Sequence, residues 1–428
     1  MGRKRKKTGR IPSSPAALAA LPEEDLLEAV QQRTFRFFWD GAHPPSGLAR
    51  DRRATHAVAE DDLIAVGGSG FGVMALMVAV ERGWIGRAAA LARLERMLAV
   101  LVRATCYHGV FPHFLNGRTG ATIPFGRKDD GGDLVETSFL MMGLLCARQY
   151  FDRPGESSLR GRITQLWEEV EWSWHIQPGQ DALTWHWSAN NGFAMNHHIR
   201  GWNECLITYV LAASSPRYAI PPRFYETGFA AGPDYRNGDS YYGIPLPLGP
   251  KLGGPLFFSH YSFLGLDPRG LKDAHADYWE QNLAQCRINL AHCLANPGGF
   301  KGYGPACWGL TASDDPLGYD AHAPGNDNGT ISPTAALSSI PYLPQEAVAA
   351  MRHFLEVHGR KVWGRYGFTD AFNETRGWFA KTFLAIDQGP IVVMIENYRS
   401  GLLWNLFMAV PEVRAGLRAL GFSSPHLQ

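Results

Sequence analysis

A ring of paired, inner and outer α-helices is the architecture this 428-residue sequence predicts. Three observations predict it. Apolar residues recur at helical spacing in a succession of separate segments, the connections between some of them are far longer than usual, and no Ser-rich or charged linker and no short repeat splits the chain into modules. With 45% hydrophobic and 19% charged residues the chain can bury a large core.

Along the chain the helical spacing runs through Glu23–Trp39, Phe71–Arg82, Ala88–Thr105 and Leu134–Tyr150, then Ser158–His175 and His198–Ala213. It continues through Asp273–Ala295, Gln345–His358 and Ile391–Phe407. The longest connections, Ser214–His260 and Asn296–Ser332, are rich in Gly, Pro and aromatic residues. Long loops on a regular scaffold are where function concentrates. Within the first, Tyr241–Phe258 places turn residues between short apolar stretches, which predicts a small β-hairpin element on the loop face. Residues 1–20, opening MGRKRKKTGR, read as a disordered basic tail, and residues 21–425 as a single domain.

A formal net charge of +1, with its only basic cluster at the start, offers no face for nucleic acid. No apolar run approaches the ~20 residues of a membrane helix, and the opening residues carry no readable export signal. The cysteines Cys106, Cys146, Cys205, Cys286, Cys293 and Cys307 show no CxxC pairing. Reduced structural thiols are expected, with neither a disulfide framework nor a zinc site.

Aromatic residues make up 12% of the chain, and Trp185, Trp187, Trp202, Tyr303, Trp308, Tyr319, Trp363, Tyr366 and Trp378 sit in polar, Gly-rich surroundings. Each could simply fill the core. Beside carboxylates, however, such rings can stack on a pyranose while amides and acids bond its hydroxyls.

Glycoside cleavage needs one carboxyl to protonate the leaving oxygen and another to activate water or attack the sugar. Four acids stand in strongly apolar sequence. Asp133 and Glu136 in GGDLVETSFLMMGLL are three apart at a helix mouth, so both can enter one cavity. The same spacing also suits an N-cap pair. Glu204 in GWNECLITYVL reads as a carboxylate on an apolar helix, where burial raises the pKa as a general acid requires; a helix-start Glu facing solvent or pairing with Arg200 is the alternative. Asp387 in AIDQGPIVV precedes Pro390 at a helix opening, where it could hold a water or serve only helix-mouth electrostatics. Glu396 and Arg399 could orient neighbours or pair with each other. His113 and the run Asn196, His197, His198 are further polar candidates, and no His/acid spacing marks a metal site.

Taken in order, GSGFGVMALMVAVERGWI, GVFPHFLN, GGDLVETSFLMMGLL, GWNECLITYVLAASSP, GGPLFFSHYSFLGLDPR, YGFTDAFN and IDQGPIVVMIENYRSGLLW span Gly68 to Trp404. Together they resemble the glucoamylase-like family that contains the bacterial endo-β-1,2-glucanases of glycoside hydrolase family 144, over roughly Asp25 to Phe422. The resemblance implies an all-α (α/α)6 toroid, inverting hydrolysis of β-1,2-glucan, and no metal or organic cofactor. By motif it makes Asp133 and Glu136 the acidic pair, Glu204 the WNE glutamate and Asp387 the DQGP aspartate. The expected roles are Glu204 as general acid, with Asp387 or Asp133 aiding the water, and His113, Trp202, Asn203, Trp308, Tyr366 and Arg399 as substrate-binding residues. A β-glucan oligosaccharide or polysaccharide is the expected partner of a monomer. Relatives imply a periplasmic or secreted setting, which the opening residues do not announce, so location stays open. Exo-acting release of sophorose, transglycosylation, a polysaccharide lyase using Asn196, His197, Arg200 and Tyr209, and a non-catalytic glucan-binding protein are the competing readings.

Overall fold

The structure, a computed structural model, describes residues 12–56 and 61–428. Its α-helices, in chain order, are α1 (Pro15–Ala19), α2 (Glu23–Trp39), α3 (Val66–Glu81), α4 (Arg87–Leu101), α5 (Leu134–Tyr150), α6 (Ser157–Glu169) and α7 (Leu206–Ser214). There follow α8 (Tyr278–Ala295), α9 (Pro333–Ser338), α10 (Pro344–Val362), α11 (Ala385–Ser400), α12 (Leu402–Met408) and α13 (Pro411–Ala419). Most buried apolar side chains from Leu18 to Phe422 form one continuous core, and Leu246, Ala284 and Ile288 form a small separate cluster beside the hairpin Ser240–Pro245. Among the described residues, no helix is long and apolar enough to cross a membrane.

The most apolar helices pack side by side: α11 lies against α3, α3 against α5, α5 against α7, and α9 against α11. Amphipathic helices cover them, α2 over α3 and α11, α6 over α5, α10 over α9 and α13 over α7. The α3–α5 seam explains a boundary that periodicity missed. Helical spacing begins at Phe71, but the helix starts at Val66 and runs through Gly67, Gly68 and Gly70. A β-carbon on Gly70 would lie 2.2 Å from the carbonyl oxygen of Phe139, and one on Gly143 would lie 2.2 Å from that of Gly70. These glycines let two helices touch backbone to backbone, an advantage that outweighs their weak helix propensity.

Other boundaries moved for local reasons. The expected helix His198–Ala213 is irregular up to Cys205, because Ile199 pairs with Leu183 (N–H to O, 2.8 Å) and α7 starts only at Leu206. The expected Ile391–Phe407 helix begins earlier, at Ala385, and is interrupted at Gly401. Within the basic tail, residues 1–11 lie outside the described residues. The tail expectation is corrected from Pro15 onward: α1 is a helix with Leu18 fully buried, packed on α10, and Arg352 donates to the Leu21 carbonyl at 2.8 Å.

The hairpin expected in Tyr241–Phe258 is present as Ser240–Tyr241 paired with Ile244–Pro245, followed by 3-10 turns. Further short antiparallel pairs shape the loop face. Ala312–Asp315 pairs with Gly318–Ala321, Phe372–Asn373 with Trp378–Phe379, Arg52–Ala54 with Thr382–Leu384, and Gly132–Asp133 with His186–Trp187.

Candidate active site

The N-terminal ends of α3, α5, α7 and α11 converge around a cavity of about 470 Å³. Phe114, Phe125, Trp185, Phe257, Tyr261 and Tyr319 line it, together with His113, Glu136 and Glu204. An ion pair and a hydrogen bond fix His113 and Glu136 in the wall.

Asp133 is the N-cap of α5, its Oδ1 accepting from the N–H groups of Val135 (3.0 Å) and Glu136 (2.9 Å). The same oxygen accepts from Trp185 Nε1 at 2.9 Å, and Oδ2 lies 3.1 Å from His113 Nδ1 and 3.6 Å from His186 Nε2. His186 is delivered by strand register, directly opposite Asp133. Burial alone would raise the Asp133 pKa, but the bonds from His113 and His186 outweigh it and hold the carboxylate ionised. In turn both imidazoles, although partly desolvated, are pushed up to about 9, His113 by the charge of Glu136 and its bond to Asp133, His186 by Asp129 and Asp133. The capping reading therefore holds for Asp133, whose oxygens are all engaged. It anchors the wall.

Glu136, one turn into α5, accepts the Gly67 N–H at 2.6 Å, which ties the α3 mouth to the cavity. Burial pushes its pKa up to about 7.

Glu204 sits in the turn just before α7, not on the helix. Arg200 does not pair with it, because Arg200 is bonded to Asp181. Among the described residues no side chain bonds the Glu204 carboxyl; its backbone carbonyl accepts from Ser262 Oγ at 2.5 Å. Burial pushes its pKa up to about 7, with smaller contributions from the charges of Asp133 and Glu136. A half-buried carboxyl that is protonated near neutrality and faces a cavity is in the state a general acid needs.

Asp387, in the first turn of α11, is buried behind the wall next to Ile386, which lines the cavity. Burial first, then the charge of Asp370, push it well above the usual carboxylate range. Asp370 itself accepts the Asp314 N–H at 2.6 Å and is pushed up to about 7 by burial and the Asp314 charge. Asp314 Oδ1 in turn meets Arg52 at 3.1 Å.

Sequence reasoning missed Asp370, although an isolated acid in FTDAF meets the criterion that found the other four. It also missed Phe125, whose signal is a large apolar ring in a polar loop, 60% exposed and 4.5 Å from the His113 ring.

Several expected substrate-binding residues are not at the cavity. Trp202 is buried, stacked on Tyr278 with centroids 5.7 Å apart. Trp308 and Tyr366 are likewise core rings, for which the core-filling alternative wins. Asn203 bonds locally to Arg200 O and Cys205 N. Arg399 lies at the far end of α11, about 18 Å from Asp387 by the helical rise, held by Glu28 (2.9 Å), Gln31 (3.0 Å) and Glu24 (3.0 Å). Glu396 pairs with Arg82 at 2.7 Å and not with Arg399. The lyase constellation does not assemble either, since the Tyr209 hydroxyl is buried between Leu183 N–H and Ile199 O.

Comparison with known proteins places this geometry in a family. The Glycoamylase (glucoamylase) family model matches residues 196–411, half of the chain. A solved protein of Bacteroides uniformis is 56% identical, covering 95% of this chain and 99% of its own, with a TM-score of 0.92. The chain belongs to the Glycoamylase family. The endo-β-1,2-glucanase of Chitinophaga pinensis, solved with sophorotriose and glucose, is 52% identical over 95% of this chain and 100% of its own, with a TM-score of 0.92. A curated relative, the exo β-1,2-glucooligosaccharide sophorohydrolase (non-reducing end) of Parabacteroides distasonis, is 45% identical over 94% of this chain. The chain spans 58% of that protein's length.

Proposed function

We propose that this chain is a glycoside hydrolase that cleaves β-1,2-glucan with inversion, acting as a monomer built from one (α/α)6 domain over residues 21–425. The observation that carries the proposal is the Glu204 carboxyl: it faces an aromatic-walled cavity, has no side-chain partner among the described residues, and is pushed up to about 7. Glu204 donates its proton to the leaving glycosidic oxygen. Water attacks the anomeric carbon from the other side of the ring and loses its proton towards Asp387, which Asp370 backs. A base with a raised pKa is a strong proton acceptor once ionised, and a like-charged neighbour raises it further. Glu136 and protonated His113 hold sugar hydroxyls, while the ionised Asp133 orients His113 and sets the field.

Endo action is the favoured mode, because the Chitinophaga pinensis endo-β-1,2-glucanase is matched over its full length. Exo release of sophorose is the second reading, favoured by the Parabacteroides distasonis sophorohydrolase. Incubation with linear β-1,2-glucan and a panel of other glucans, followed by separation of products by size, tests both. A ladder of intermediate lengths supports endo action, and disaccharide alone from the start supports exo action. No shortening of any glucan overturns the proposal.

A further inference from the structure

Away from the cavity, one mixed cluster of metal-ligating side chains has no role in the reaction described above. Cys307, His353 and Glu374 each bring a donor atom to within 4.8 Å of the others. They come from three separate parts of the fold: the long loop after α8, the middle of α10, and the turn between the strands Phe372–Asn373 and Trp378–Phe379.

We propose that Cys307, His353 and Glu374 bind one divalent cation of the zinc class, with water completing the coordination. The donor chemistry is that of zinc: a thiolate, an imidazole and a carboxylate, leaving a fourth position open. Around such an ion, donors at ~2.0–2.3 Å stand roughly 3.3–3.7 Å apart, so the cluster closes by about 1 Å on binding.

The donors are held ready for a ligand. Cys307 is 1% exposed, and among the described residues its thiol makes no hydrogen bond. His353 Nε2 is buried and, among the described residues, also without a partner. Glu374 Oε1 is oriented by His358 Nε2 at 2.8 Å, the outer-sphere arrangement that positions metal-binding carboxylates. The loop closes over Glu374 because residue 302 is glycine at φ +87°, where a β-carbon would lie 2.0 Å from Glu374 Oε1. Binding replaces the S–H bond of Cys307 by a metal–sulfur bond and releases one proton to solvent; no oxidation state changes. Sequence spacing cannot show such a site, because its donors are 46 and 21 residues apart.

The ion takes no part in hydrolysis. It cross-links the loop, α10 and the turn, and so braces the hairpin that follows Asp370. The test uses the full chain, stripped with chelator and titrated with Zn2+ by calorimetry, then loaded with Co2+ and read by absorption. The expected result is one ion per chain and a thiolate-to-cobalt charge-transfer band. Cys307→Ser should abolish that band, and His353→Gln should weaken Zn2+ affinity at least tenfold, with both variants still shortening glucan. No binding by the wild type, no thiolate band, or a band that persists in Cys307→Ser each overturns the proposal. Should Cys307→Ser fail to fold, unchanged affinity in His353→Gln overturns it equally.

Discussion

Asp387 at the start of α11 faces Asp370 at the foot of the hairpin Phe372–Phe379, and the charge of Asp370 holds the Asp387 carboxyl above what burial alone imposes, while the hydrogen bond between them lowers Asp370. Two like charges in one buried site cannot both ionise readily, so the pair keeps a proton to higher pH than a lone carboxyl would.

The pair predicts the acid limb of the pH profile. Activity falls on that limb as pH drops and the base becomes protonated. Asp370→Asn removes the charge that raises Asp387, so Asp387 ionises at lower pH and the limb moves to lower pH. A purely structural role for Asp370 would lower kcat without moving the limb. Asp387→Asn should lose at least ~100-fold in kcat with the helical circular-dichroism signal intact.

Glu204 predicts an opposite pairing of activity and stability. Its folded pKa of about 7 exceeds its ordinary value of 4.5, so its contribution to stability is fully present below pH about 4.5 and is lost as pH rises through about 7. Glu204→Gln removes the ionisation. It should lose at least ~100-fold in kcat, yet melt at a higher temperature than wild type at pH 8, with the difference vanishing near pH 4. A variant that melts lower at pH 8 would contradict a half-buried carboxyl that no side chain pairs among the described residues.

Arg399 tests the correction made to the substrate-binding set. Its partners are Glu24, Glu28 and Gln31, at the other end of α11 from the cavity. Arg399→Ala should leave KM within about twofold and lower the melting temperature by roughly 1–3 °C. A large rise in KM would return Arg399 to the substrate.

Tyr319 stands on the hairpin Ala312–Ala321, half exposed and in the cavity wall. Tyr319→Ala should raise KM for long glucan about fivefold to tenfold while changing kcat less, the scale of about 1 kcal/mol expected for losing one stacking ring. Steady-state kinetics on glucans of graded length would separate this from a general loss of fold.

What the sequence made legible follows from what each signal measures. Helical spacing reports a buried face, so it found α2, α5 and α8 well and missed the glycine-rich start of α3, where close backbone approach overrides propensity. Isolated acids in apolar sequence report buried charge, and that criterion reached Asp133, Glu136, Glu204 and Asp387. It could not tell a capping acid such as Asp133 from a cavity acid such as Glu136, because the difference lies in which groups arrive from elsewhere in the chain, the Trp185 indole N–H at Asp133 and the Gly67 backbone N–H at Glu136. Aromatic residues in polar loops were a poor guide: Trp185 and Tyr319 reached the cavity, while Trp202, Trp308 and Tyr366 went to the core.

Protonation of the leaving oxygen by Glu204, with water delivered to the opposite side of the sugar, fixes the stereochemistry of the first product. Proton NMR during the first turnovers of linear β-1,2-glucan reads it directly. An α-anomer appearing first is the predicted result; a β-anomer appearing first would contradict the account.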